Sequence, residues 1–80
     1  MITVQAKLFA TLRRHYPDLA IGETLAVDLP DEATVGQLLE ELDLPEKQVK
    51  VVFVNGIVRK EDQPLRDGDE IGLFPPVGGG

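Results

Sequence analysis

No cysteine occurs among the 80 residues, which removes disulfides, thiolate nucleophiles and zinc–thiolate sites together. Serine is also absent, so serine nucleophile chemistry is excluded. The only histidine, His15, stands beside Arg13, Arg14 and Tyr16 without a companion for a metal site or a triad. It reads as a solvent-facing loop residue. Neither G-x-x-x-x-G-K-[ST] nor G-x-G-x-x-G is present, so no phosphate-cradling loop is expected. Positive charge is short, with 8 basic residues against 14 acidic ones and a net charge of −6. Such a chain repels phosphate backbones, which argues against nucleic-acid binding. It suits a partner with a basic surface, although acidity also simply keeps a small domain soluble. No apolar run approaches the ~20 residues of a membrane span, so no membrane association is expected. The start, MITVQAKLFA, lacks the features of a signal peptide, and a cytoplasmic location is the expectation.

What is present fits one soluble domain, with 42% hydrophobic and 28% charged residues. A chain of this size buries only about 60–65% of its unfolded surface. It holds one thin core, without a cleft deep enough to enclose a substrate. The carboxylates are scattered. Glu40 and Glu41 are neighbours on a helix and point to different sides of it. No enzyme active site emerges, and no metal site is expected.

Ile2 to Phe9 alternates, with Ile2, Val4, Ala6 and Leu8 on one side, and reads as a half-buried strand. Thr11 to Ile21 reads as a helical turn and a loop. Gly22 to Pro30 is a second strand with Leu25, Val27 and Leu29 inward, closed by a proline that cannot donate to a ladder. Thr34 with Gln37 forms a capping-box pattern, and Val35, Leu38, Leu39 and Leu42 make one apolar helical stripe. Pro45 is expected to mark the end of that helix. Val49 to Val54 is nearly all apolar and is expected to be a strand buried on both faces, or nearly so. Asn55-Gly56 signals a type I′ hairpin, Ile57 to Arg59 a short return strand, Glu61 to Arg66 a polar loop and Asp67-Gly68 another turn. Glu70 to Phe74 is the last strand. The order predicts an α+β domain: a mixed sheet of four to five strands with one main helix on one face. That pattern resembles the β-grasp, or ubiquitin-like, fold, in which the first and last strands run parallel at the sheet centre. Residues 1–76 would form the domain and residues 77–80 a flexible glycine tail.

The chain end is the unusual feature. Pro75 and Pro76 have fixed φ and would project the tail stiffly from the sheet. Val77 to Gly80 can reach roughly 13–14 Å at ~3.3–3.6 Å per residue. Gly78, Gly79 and Gly80 lack Cβ and can thread a channel too narrow for other residues, presenting an unhindered terminal carboxylate.

The combination Asp67-Gly68-Asp69-Glu70, then Phe74-Pro75-Pro76-Val77, then closing Gly79-Gly80 resembles the MoaD/ThiS family of sulfur carriers, most closely its molybdopterin synthase small-subunit branch. Ile2 to Arg13 and the Val51 to Gly56 stretch fit as well. The resemblance implies a carrier rather than an enzyme. The Gly80 carboxylate would be adenylated by an E1-like adenylyltransferase that uses ATP and magnesium, the carrier itself binding no cofactor. A sulfur donor protein would then convert it to a thiocarboxylate. The tail would insert into the molybdopterin synthase large subunit, in a hetero-oligomer, to donate sulfur. One departure is Gly78, where molybdopterin carriers often have Ser, Thr or Ala. A third glycine also occurs in thiamin-pathway carriers, which usually lack the Phe-Pro-Pro run. Partner contact is expected at Phe9, Phe74, Pro75 and Pro76, with Phe9 and Phe74 on the sheet face away from the helix and Val52 or Val54 joining them there. A thiamin-type carrier, a ubiquitin-like modifier conjugated through Gly80, and a non-covalent β-grasp module are the alternatives.

Overall fold

The computed structural model describes residues 1–76; the expected tail, Val77 to Gly80, lies outside the described residues. Five strands form one sheet: β1 (Ile2–Leu8), β2 (Leu25–Leu29), β3 (Val51–Val54), β4 (Ile57–Arg59) and β5 (Glu70–Phe74). Their order across the sheet is β2-β1-β5-β3-β4. β1 and β5 are parallel and central, with Leu8 opposite Leu73, and the other pairings are antiparallel. The expected α+β, β-grasp arrangement is therefore the observed one. A single helix, α1 (Val35–Glu41), covers one face, and short 3₁₀ turns occupy Ala10–His15 and Glu46–Gln48.

Local chemistry explains the helix ends. Thr34 Oγ1 accepts from the Gln37 N–H, and the Gln37 side chain accepts from the Thr34 N–H, which completes the capping box. The Val35 and Gly36 amides donate to the Gln63 and Glu61 carbonyls, so the first orphan donors of α1 are satisfied by a distant loop. The helix stops before Pro45 is reached. Asp43 sits at φ 57°, the Asp43 N–H bonds the Glu40 carbonyl, and the Leu44 N–H bonds the Leu39 carbonyl. This is a Schellman closure with aspartate in the position usually held by glycine.

The core is aliphatic throughout. Val4, Ala6, Leu8, Ile71 and Leu73 from the central strands meet Val35, Leu38 and Leu39 from α1. Leu65 is 3% exposed, although it lies in the segment expected to be a polar loop. Its N–H donates to Ala33 O at 2.7 Å, which draws that loop under the start of α1. The expectation that Val49 to Val54 is buried on both faces is corrected. Val52 and Val54 are buried, paired with Leu73 and Ile71, while Val51 and Phe53 are half-buried on the opposite face. Only one face of β3 meets the helix layer, so parity divides the run. Asn55 (φ 51°) and Gly56 (φ 84°) form the expected hairpin turn.

The Asp67-Gly68-Asp69-Glu70 segment is tied down at the end of the sheet away from the tail. Asp67 accepts from the Thr3 N–H at 2.8 Å, and Gly68, at φ 85°, donates to Thr3 O. Asp69 accepts from the Arg66 N–H and from Asn55 Nδ2, and the Glu70 N–H donates to Asn55 Oδ1. One cluster thus locks the hairpin turn to the start of β5.

Candidate functional site: the aromatic face and the tail root

The chain has three phenylalanines, and all three lie on the sheet face opposite α1. Phe9 and Phe74 stack with centroids 4.1 Å apart and planes 6° from parallel. Phe53 meets Phe74 edge-on at 5.4 Å and 74°. Parallel pairing of β1 and β5 brings Phe9 beside Phe74, because both follow the Leu8–Leu73 pair by one residue. Antiparallel pairing of β3 with β5 sets Phe53 opposite Gly72, diagonal to Phe74.

Gly72 makes the cluster fit. A Cβ there would lie 3.4 Å from Phe9 Cε2 and 3.5 Å from Phe74 Cε1. Alanine would fill the gap, and a larger side chain would lift the rings. The Lys7 ammonium lies 5.3 Å from the centre of the Phe9 ring. Together these residues floor an open groove of about 410 Å³, rimmed by Gln5, Thr24 and Glu70.

The rings are half-buried and stand outside the buried core cluster. Of the residues expected at this face, Phe9 and Phe74 are there. Val52 and Val54 are not, because their side chains point into the core, and Phe53 takes that place. Phe53 and Gly72 were legible in principle, since residues alternating with buried Val52, Val54, Ile71 and Leu73 must face the other way.

β5 ends at Phe74, whose carbonyl accepts the Lys50 N–H at 2.8 Å. Pro75 has no N–H and cannot extend the ladder. It is buried, while Pro76 is exposed. The chain therefore leaves the sheet at Pro75, directly after Phe74 of the aromatic cluster. Gly80, Gly79, Gly78 and Val77 were expected to carry the chemistry, and they lie outside the described residues. His15 is exposed as expected, with Nε2 2.8 Å from Gln48 Oε1. Tyr16 donates to Leu42 O at 2.8 Å. Burial, then the charges of Asp43 and Glu41, raise its pKa above the ordinary 10.0. Among the described residues no group of three or more acidic or histidine side chains could hold a metal, and no helix is long and apolar enough to cross a membrane.

A mixed sheet with central parallel strands, one covering helix and an exit strand ending in a proline pair defines a ubiquitin-like domain. The chain belongs to the ThiS family of sulfur carriers, whose family model matches residues 6–80. A molybdopterin converting factor subunit 1 from Pyrococcus furiosus is 30% identical, with a TM-score of 0.76 over 96% of this chain and 100% of that one. The small archaeal modifier protein 1 of Haloferax volcanii is 28% identical, with a TM-score of 0.78 over 96% of this chain and 100% of that one. A chain from a protein–protein complex of subunits 1 and 2 of the Helicobacter pylori molybdopterin-converting factor is 24% identical. It shares the fold at a TM-score of 0.61 over 99% of this chain and 100% of that one. No curated protein sequence matches.

Proposed function

We propose that the chain carries sulfur on its C-terminal carbonyl for molybdopterin synthesis, with Gly80 as the working residue and the phenylalanine cluster as the docking surface. The observation that carries the reading is the aromatic cluster at the root of the tail. A large apolar surface beside the exit strand is what a partner must cover when it swallows the tail.

The chemistry follows from the carboxylate. A carboxylate is a poor electrophile, so an E1-like adenylyltransferase supplies ATP and magnesium. A Gly80 oxygen attacks the α-phosphorus and pyrophosphate leaves, giving a mixed anhydride with AMP. Sulfide sulfur delivered by a donor protein then attacks the carbonyl carbon. The C–O bond to AMP breaks with its electron pair, and a thiocarboxylate remains. The carrier needs no thiol, metal or bound cofactor for this cycle. The family resemblance and the names of the Pyrococcus and Helicobacter proteins support molybdopterin synthase, with its large subunit as acceptor and partner.

The deciding experiment mixes thiocarboxylated chain with a molybdopterin synthase large subunit and the pterin precursor. Sulfur should leave Gly80, returning it to the carboxylate. A thiocarboxylate that survives this mixture, yet is consumed by a thiamin-pathway acceptor, overturns the molybdopterin assignment.

A second reading is favoured by the likeness to the Haloferax modifier. The same adenylate would be attacked by a lysine amine, forming an amide between Gly80 and a target protein. Lysine-linked adducts that disappear when Gly80 is deleted would establish it.

A further inference from the structure

The chain as a whole is acidic, yet the described side chains lining the surface around Pro75 and Pro76 are not. A groove there is bounded by the two short 3₁₀ turns and the proline pair. Arg14 and His15 come from one turn, Lys47 and Gln48 from the other, with Pro75 and Pro76 between them. None of its described lining residues is acidic. Glu41 and Asp43 act on Tyr16 and do not line it. The contact between His15 and Gln48 joins the two turns, so Arg14 and Lys47 are held at the same groove. Both cations are exposed, and neither forms an ion pair among the described residues. The other end of the sheet has the opposite sign: Asp67, Asp69 and Glu70 stand at the start of β5 and Asp28 near the end of β2. Among the described side chains, charge is thus polarised along the central strands, positive around Pro75 and Pro76.

On the sulfur-carrier reading, a protein that acts on Gly80 brings the rim of its channel against this groove, because Gly80 is only four residues beyond Pro76, roughly 13–14 Å of extended chain. We propose that the groove docks an acidic segment at the rim of the adenylylating partner, with Arg14 and Lys47 steering the tail into that partner's site. This rests on the sulfur-carrier reading and adds the surface that the activating enzyme recognises. The two cations sit on exposed side chains of separate turns, a spacing suited to a run of carboxylates. The described lining contains no glycine to form the nest of backbone N–H groups that a phosphate favours.

The test compares association of the full chain with a cognate adenylyltransferase and magnesium ATP for wild type, R14E/K47E and R66E. Arg66 is exposed near the opposite end of the sheet, so R66E is the control. The double variant should associate about tenfold more slowly at low salt. The gap should shrink at ~300 mM salt as the charges are screened. R66E should match wild type, and all three should melt alike, since the altered side chains are exposed. Normal association of R14E/K47E overturns this inference and leaves the sulfur-carrier reading standing. ATP alone shifting the Arg14 and Lys47 amides of the isolated chain would overturn it in favour of a nucleotide-phosphate site. Failure of wild type to be adenylated at all overturns both.

Discussion

The two faces of the sheet are built from different side chains. The face under α1 is packed with leucine, valine, isoleucine and alanine, and Leu73 is 0% exposed. The opposite face has the three phenylalanines and, among the described residues, no covering element. Aromatic rings carry the largest apolar area per residue, and a thin core would ordinarily use them. Here they are placed outside, at the end from which the tail departs. The difference separates two tasks on the proposed reading: the aliphatic face holds the fold, and the aromatic face is the one offered to another protein.

Leu73 and Phe74 are adjacent in β5, so substituting each in turn breaks the comparison most directly. Leu73→Ala should cost about 3–5 kcal/mol of stability, read from the urea midpoint, because it opens a cavity under α1. That is a large share of what an 80-residue domain possesses. Phe74→Ala should weaken binding to the partner by about 2–4 kcal/mol. Its stability cost should be smaller, about 1–2 kcal/mol, for a half-buried ring and one stacking contact. Unchanged affinity would remove the docking role. Gly72→Val sharpens the same point without touching a ring. It should displace Phe9 and Phe74, seen as shifts in their ring proton resonances, and reduce affinity about tenfold, whereas Gly72→Ala should be tolerated. Tyr16→Phe is the mildest change, costing about 1 kcal/mol for the lost bond to Leu42 O. Because the folded pKa of Tyr16 is raised, the folded state holds its proton longer than the unfolded chain. The stabilisation is complete below pH 10.0 and is lost as pH rises from there through the folded pKa. The wild type should therefore lose stability in that alkaline window more steeply than Tyr16→Phe does.

Much of this was legible because the signals are local. Thr34 and Gln37 announce the start of the helix within four residues, and Asn55-Gly56 announces a turn that needs two positive φ angles. The position of Phe74 beside Phe9 follows once the first and last strands are paired in parallel. What stayed hidden depends on distant partners. Val49 to Val54 shows no alternation, since its residues are nearly all apolar, and only pairing with Ile71 and Leu73 reveals that Phe53 faces outward. Leu65 sits among polar residues, and its burial is set by a bond to Ala33 across the fold. The helix ends at Glu41, shortly before Pro45, and what closes it is a left-handed Asp43, which sequence does not announce as glycine would. The basic groove joins turns more than thirty residues apart and was invisible in a chain whose total charge points the other way.

The central claim is that Gly80 carries the sulfur, and intact-protein mass spectrometry tests it most directly. The chain would be incubated with magnesium ATP, a cognate adenylyltransferase and a sulfide source. The account predicts a mass gain equal to exchanging one oxygen for sulfur, lost when Gly80 is deleted. An unchanged mass with several active adenylyltransferases would contradict it and leave a non-covalent β-grasp module in its place.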